Sequence, residues 1–166
     1  MYRIRRIAAG LTLLVLPAWF IVPNLLLAMN RSHQKQTMAD MRSIATAWEA
    51  RATDINSYSV GARRNSRAGA GVKMPAEQRV TTAELARALE PTYIRKLPRA
   101  DGWGIGLQFT TGDYESTGQA QTYMIRSLGS DGRSDRIANL SGPTKNLEDD
   151  IVYSNGSFIR FPEGAG

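Results

Sequence analysis

Two consecutive stretches decide the fold: residues 7–29, IAAGLTLLVLPAWFIVPNLLLAM, and residues 30–55, NRSHQKQTMADMRSIATAWEARATDI. In the second stretch apolar side chains recur at gaps of three and four residues, which places them on one face of an α-helix. These are Met38, Met41, Ala45, Trp48, Ala52 and Ile55. No break signal separates the two stretches. The pattern therefore predicts one long helix that is apolar throughout its first half and amphipathic in its second half.

The run from Ile7 to Met29 is long enough to cross a bilayer, because roughly 20 apolar residues span the hydrocarbon layer. Three arginines lie within residues 1–6, and the positive-inside rule places them in the cytoplasm with the bulk of the chain outside. A cleaved signal peptide is the alternative, but residues 25–30, LLLAMN, lack its small-x-small cleavage site. We predict a basic segment and membrane helix over residues 1–30 and a domain over residues 31–166.

The remaining residues predict a small sheet and one short helix. Thr81 and Glu84 fit a capping box at the start of a helix that Pro91 ends. Asn155-Gly156 between two apolar runs is a strong hairpin signal, because both residues accept a positive φ. The strand patterns lie at residues 105–109, 123–128, 151–153 and 158–161. We expect a three- or four-stranded antiparallel sheet packed on the long helix, an α+β fold, with residues 59–80 as a mobile basic loop.

Composition narrows the function classes. The net charge is +6, yet the positive side chains flank the apolar run or lie in the 59–80 loop without interleaved aromatics, which disfavours nucleic-acid binding. The arginines of that loop are instead candidates for contact with an acidic partner or lipid headgroups. The absence of cysteine excludes a disulfide-dependent fold. Catalysis has little support, because the single His33 has no acid-base partner nearby in the sequence, and we predict no enzyme.

The segment from Leu128 to Asp150 has metal-binding character. From Gly129 to Asp150 it shows no helix or strand pattern and is rich in carboxylates, and calcium takes six to eight oxygen ligands from carboxylates and backbone carbonyls. The candidate carboxylates are Asp131, Asp135, Asp149 and Asp150, and the candidate carbonyls are those of Leu128 and Ser130. The spacing is not that of an EF-hand. Ordinary solvated turn carboxylates are the alternative.

Several segments together resemble one family. Residues 21–26, IVPNLL, followed by a basic, Gln-rich helix, look like the N-terminal region of type IV pilin-like proteins. Residues 35–44, KQTMADMRSI, resemble more narrowly the major pseudopilin of the type II secretion system. Three further segments match that family in order: residues 102–104 (GWG), 127–132 (SLGSDG) and 150–152 (DIV). Taken together with the helix, the resemblance extends over nearly all of residues 20 to 163.

The resemblance implies a pilin-like fold and a structural role. The chain would be a single-pass protein of the bacterial inner membrane with its domain in the periplasm. It would assemble with other pseudopilins into a homo-oligomeric fibre, the pseudopilus, on an inner-membrane assembly platform, and help to export folded proteins. The alternatives are a pilin-like subunit of a surface fibre for adhesion or DNA uptake, and a membrane-anchored hydrolase using the acidic cluster.

The resemblance also implies specific site residues. Calcium would bind at Leu128, Asp131 and Asp150, with Asp135 and Asp149 as further ligands. Prepilin peptidase would cleave after Gly10 and leave Leu11 as the methylated first residue. Val15 then stands where the family has a glutamate.

Overall fold

The computed structural model describes residues 2–60, 77–112, 119–135 and 141–164, with side chains from Asn24 onward. The elements in chain order are helix α1 (Tyr2–Ile55), strand β1 (Glu77–Val80), helix α2 (Thr82–Leu89) and strands β2 (Gln108–Gly112), β3 (Thr122–Ser127), β4 (Gly142–Thr144), β5 (Ile151–Ser154) and β6 (Ser157–Pro162). A long N-terminal helix therefore precedes a mainly antiparallel sheet. The predicted α+β class is confirmed.

Helix α1 runs without interruption over 54 residues, as the sequence predicts. Five of the six apolar residues predicted to face inward are buried, namely Met38, Met41, Ala45, Trp48 and Ala52. The sixth, Ile55, is 45% exposed, so its predicted burial is wrong. Ile55 is the last helical residue, and Asn56 then turns the chain with a φ of 54°. The residue after Asn56, Ser57, is buried instead of Ile55.

The sheet has six strands in the order β1-β2-β3-β5-β6-β4, rather than the three or four predicted. All neighbours are antiparallel except β4 and β6, which are parallel. The two strands missed from the sequence are the edges. β1 (EQRV) and β4 (GPT) are short and contain few of the β-branched and aromatic side chains that signal a strand, unlike the equally short β5 (IVYS).

The edge strands also correct the predicted loops. β1 occupies residues 77–80 of the predicted loop 59–80, and residues 61–76 lie outside the described part of the chain. β4 lies within the segment from Leu128 to Asp150, where no strand was expected. The strand predicted over residues 105–109 begins only at Gln108, because residues 101–106 form a turn closed by a bridge between Ala100 and Gly106.

Local signals at two other elements are confirmed. The Thr81 side chain caps α2 by accepting from the Glu84 backbone N–H, and the Glu84 carboxylate accepts from the Thr81 backbone N–H. The β5–β6 hairpin turns at Asn155 and Gly156, with φ values of 48° and 89°. Both φ values lie in the left-handed region that this turn requires.

The core lies between the second half of α1 and the sheet, with Trp48 at its centre. The Trp48 ring lies 5.1 Å from that of Tyr123 and 6.3 Å from that of Phe109, measured between centroids. Tyr123 donates its hydroxyl to Glu49, and burial together with this hydrogen bond raises the pKa of Tyr123. The face of α1 predicted from its periodicity is therefore the surface on which the sheet packs.

Among the residues whose side chains are described, no helix carries an apolar run long enough to span a membrane. Most of the predicted span from Ile7 to Met29, including Gly10 and Leu11, lies outside those residues. The described end of that run is apolar and exposed: Leu25, Leu26, Leu27 and Met29 are 48–57% accessible.

Candidate functional site

The register of the sheet brings the two ends of the acidic segment together. β3 and β5 are antiparallel neighbours, and Ser127 pairs with Ile151. Leu128 follows β3 and Asp150 precedes β5, so both lie at the same end of the sheet, where β3 ends and β5 begins. The close approach continues beyond the strands, because a Cβ on Gly129 would lie 2.3 Å from the Glu148 carbonyl oxygen. Gly129 adopts a φ of 64°, which favours glycine at this contact.

Asp150 is the buried centre of this loop. Its side chain is inaccessible to solvent and forms an ion pair with Arg126, whose own side chain is 12% exposed. Asp135 joins the pair through reciprocal hydrogen bonds. The Asp150 backbone N–H donates to Asp135 Oδ2 at 3.0 Å, and the Asp135 N–H donates to Asp150 Oδ2 at 3.2 Å. The Arg126 guanidinium also donates to the Asp135 carbonyl at 2.9 Å, so one arginine holds both sides of the loop.

Burial raises the pKa of the Asp150 carboxyl, and the hydrogen bonds and charge of Arg126 offset only part of that effect. The carboxylate oxygen Oδ1 has no hydrogen-bond partner among the described residues. A buried carboxylate in this state depends on its counter-charge, because removing one member of a buried ion pair leaves an uncompensated charge. Arg126 is therefore the residue on which Asp150 relies.

Asp149 points to a different partner. Its carboxylate pairs with Arg160 of β6 and accepts from Thr144 of β4, and Asn146 Nδ2 donates to it at 3.1 Å. Burial alone would raise the pKa of Asp149, but the hydrogen bonds from Thr144 and Arg160 outweigh it and the pKa is lowered. This network ties the edge strand β4 to the end of the loop.

The remaining predicted ligands do not converge on these carboxylates. Asp131 is exposed, and its carboxylate accepts from the backbone N–H of Arg133 at 2.9 Å, as in an ordinary Asx turn. Leu128 is half-buried in the turn that follows β3. Asp149 and Asp150 are adjacent in the chain, but each faces its own arginine.

The described contacts give Asp149 and Asp150 cationic partners from the chain itself. In the described part of the chain, no three acidic or histidine side chains converge where they could hold a metal. More tellingly, guanidinium groups already occupy the two carboxylates nearest to the sheet, and each supplies the positive charge that a cation would bring. Calcium at this loop stays a prediction from the resemblance. The contacts favour Arg126 and Arg160 as the counter-charges.

A second turn fixes this end of the sheet to helix α1. The Asp101 carboxylate accepts from the backbone N–H groups of Trp103 and Ile105, and from the Ser127 hydroxyl at 2.6 Å. The Gly102 N–H donates to Thr37 Oγ1 at 2.9 Å. A Cβ on Gly102 would lie 2.4 Å from the His33 carbonyl oxygen, so only glycine lets the turn lie against the helix backbone.

The motif segments matched from the sequence thus meet in space. One end of the sheet brings together the turn at residues 102–104, the residues after β3 and the residues before β5. The residues that connect them were missed: Thr37, Asp101, Arg126 and Arg160. Periodicity gave no signal for them, although a threonine on the buried face of α1 is a recognisable anomaly. His33, the only histidine, lies beside the Trp103 ring at 6.0 Å, and its carbonyl accepts from Thr37.

Comparison with known proteins adds no relative: no family model, no curated protein and no solved structure matches this chain.

Proposed function

We propose that this chain is a structural, pilin-like subunit anchored in the bacterial inner membrane, a pseudopilin of a type II secretion system. In this role the domain lies in the periplasm, and subunits assemble through α1 into a pseudopilus that helps to export folded proteins. The working parts are surfaces that pack against other subunits, so no catalytic residue is assigned.

The observation that carries the proposal is the difference in burial between the two halves of α1. From Thr37 to Ala52 its inner face is buried beneath the sheet, whereas none of its described residues before Thr37 is buried. At a rise of 1.5 Å per residue, residues 2–36 extend the helix by roughly 50 Å beyond that buried stretch. Leucines cover the described end of this extension and are about half exposed. An exposed apolar stretch on a soluble protein marks an interaction or membrane surface.

The loop network supports the same role in another way. Arg126, Arg160 and Asp101 hold the residues that follow β3 and precede β5 at one end of the sheet. A subunit of a fibre needs such a preset surface, because ordering a loop on assembly costs conformational entropy. Of the residues that the resemblance assigns to calcium, Asp150 pairs with Arg126 and Asp149 with Arg160, so ion pairs preset this part of the surface.

The proposal can be tested with the full chain expressed in a bacterium that carries a type II system. We expect it to resist alkaline carbonate extraction from the membrane. With prepilin peptidase present, we expect mass spectrometry to show a product that starts at a methylated Leu11, and Gly10→Val to block this cleavage. A chain that carbonate releases, or one that never leaves the monomeric state in cells with an active secretion machinery, contradicts the proposal.

The same division of α1 suits a surface-fibre pilin, so the assembly machinery separates the two functions. Deleting the chain from its own genome should lower the amount of secreted enzymes in the medium if it serves secretion. Loss of adhesion or DNA uptake with secretion intact would identify the surface fibre instead. An anchored enzyme would lose an activity on Asp131→Ala while assembly survived.

A further inference from the structure

A groove of about 580 Å³ lies between α1 and the edge of the sheet formed by β4 and β6. One wall is a stripe of α1 that contains Leu27, Arg31 and Lys35, which follow one another every four residues and thus lie on one side of the helix. The opposite wall comes from the chain around β4 and the end of β6, with Lys145 and Glu163. The groove therefore opens where the apolar run of the sequence gives way to the folded domain.

The charge of the groove is positive. Three cationic side chains and one carboxylate line it, giving a net charge of +2. In the described part of the chain, neither Arg31 nor Lys35 forms an ion pair with a carboxylate. Lys145 pairs with Glu163 at 3.3 Å, but these side chains are 84% and 55% exposed, so the pair is weak and can exchange its partner.

The groove continues into an apolar surface. Leu27 lies at its helical end, and Leu25, Leu26 and Met29 are about half exposed on the same turns of α1. Met38 and Leu147 add apolar lining inside the groove itself. A cationic pocket that borders an exposed apolar band matches an amphiphile with an anionic head and hydrocarbon chains, the combination found in an anionic phospholipid.

We propose that this groove binds the headgroup phosphate of an anionic phospholipid, with the acyl chains along the leucines of residues 25–27. The inference rests on the proposed membrane anchoring of α1. It accounts for Arg31 and Lys35, which lie on the far side of the apolar run, where the positive-inside rule does not call for cations. Bound lipid would hold the domain against the membrane surface and fix its orientation before assembly.

The test uses the full chain in nanodiscs that contain equal amounts of phosphatidylglycerol and phosphatidylcholine. Native mass spectrometry counts the lipids that stay bound when the protein is released. We expect the wild type to retain phosphatidylglycerol preferentially. In the double variant Arg31→Gln/Lys35→Gln this preference should fall roughly tenfold, because each surface cation strengthens binding of an anionic headgroup several-fold. The matched control Lys96→Gln/Arg133→Gln removes two exposed cations outside the groove and should leave the preference unchanged.

Two further arms make the result specific. The charge-preserving variant Arg31→Lys/Lys35→Arg should retain the preference, which guards against a folding defect as the cause of its loss. Glycerol phosphate added at millimolar concentration should not displace the lipid. If it does, the groove takes a free phosphate anion and the lipid proposal is overturned.

Other outcomes also decide the matter. Equal phosphatidylglycerol retention by the wild type and the Gln double variant, in a chain that carbonate does not extract, overturns the groove and leaves the membrane anchor intact. Release of the wild-type chain by carbonate overturns the proposed function itself. If the wild type instead binds an acidic peptide through Arg31 and Lys35 with no lipid preference, the surface serves a protein partner and the lipid proposal is wrong.

Discussion

Replacing Arg126 with glutamine tests the ion pair on which the acidic loop depends. Asp150 is fully buried, one of its carboxylate oxygens has no described partner, and Arg126 supplies its counter-charge. Breaking a buried pair by removing one partner costs about 3–5 kcal/mol, because the remaining charge is left uncompensated. The backbone N–H of Asp135 still donates to Asp150, so the lower end of that range is the better starting value.

Protonation sets an upper limit on the part of this cost that comes from the unpaired buried charge. Asp150 can bind a proton instead of remaining charged, and at pH 7 this costs about 1.4 kcal/mol for each pH unit above its unfolded pKa near 3.9. The limit is therefore about 4 kcal/mol at pH 7 and about 1.5 kcal/mol at pH 5. The sign follows from linkage: in the variant the folded pKa of Asp150 is raised further, so stability falls as pH rises above the unfolded pKa. We expect Arg126→Gln to cost roughly 3–4 kcal/mol at pH 7 and less than half of that at pH 5.

The assay is urea unfolding of the full chain in micelles, followed by tryptophan fluorescence at pH 7 and pH 5. The wild type, Arg126→Gln, Asp150→Asn and the double variant form a thermodynamic cycle. The double variant should recover a substantial part of the loss at pH 7, because no buried charge remains. Arg133→Gln removes an exposed arginine near the same loop and serves as the control. A cost of Arg126→Gln below about 1 kcal/mol at pH 7, or an equal cost at both pH values, would show that Asp150 does not depend on Arg126 for its counter-charge.

Three further predictions concern the same end of the sheet. Asp149→Asn should destabilise the chain at neutral pH. The difference in stability from wild type should shrink as pH falls below about 3.9, because the lowered pKa of Asp149 gives stability that is lost on protonation. A pH-independent difference in unfolding midpoints would contradict this. Gly102→Ala should lower the free energy of unfolding by about 1–3 kcal/mol, because the added Cβ clashes with the His33 carbonyl. Gly106→Ala should be nearly neutral, because no atom lies within 4 Å of its added Cβ. Equal melting temperatures for the two variants would show that the turn can move away from α1. A calcium chelator should leave the melting temperature within about 1 °C, because arginines neutralise Asp149 and Asp150. Each kcal/mol of lost calcium binding would appear as roughly 2–4 °C in a chain of this length.

Periodicity predicted the parts of the fold that are long or that carry a specific turn signal. The buried face of α1, the capping box at Thr81 and the Asn155-Gly156 hairpin were all readable, because each depends on local spacing or on the conformational freedom of particular residues. The edge strands were not readable. β1 and β4 exist because a neighbouring strand offers them hydrogen bonds, and a pairing of this kind leaves little trace in three or four residues.

The candidate site shows the same limit more sharply. The sequence placed the carboxylates of residues 131–150 in one loop, and sheet register brings Asp135 and Asp150 together. Arg126 pairs with Asp150 and Arg160 with Asp149, and these arginines come from β3 and β6, where alternation marks a position only as outward or inward. The strand order decides which arginine pairs with which carboxylate, and strand order depends on contacts between residues far apart in the chain. The calcium ligands predicted for the same loop came from the resemblance.

Photo-crosslinking from α1 in living cells tests the central claim most directly. A photoreactive residue would replace Leu26, which is 55% exposed, in cells with and without the secretion ATPase, and the same residue at Ile159, 40% exposed on β6, gives the comparison. We expect a ladder of covalent oligomers from position 26 that requires the ATPase and is much weaker from position 159. A membrane-bound chain that stays monomeric from position 26 with the ATPase present would contradict assembly through α1.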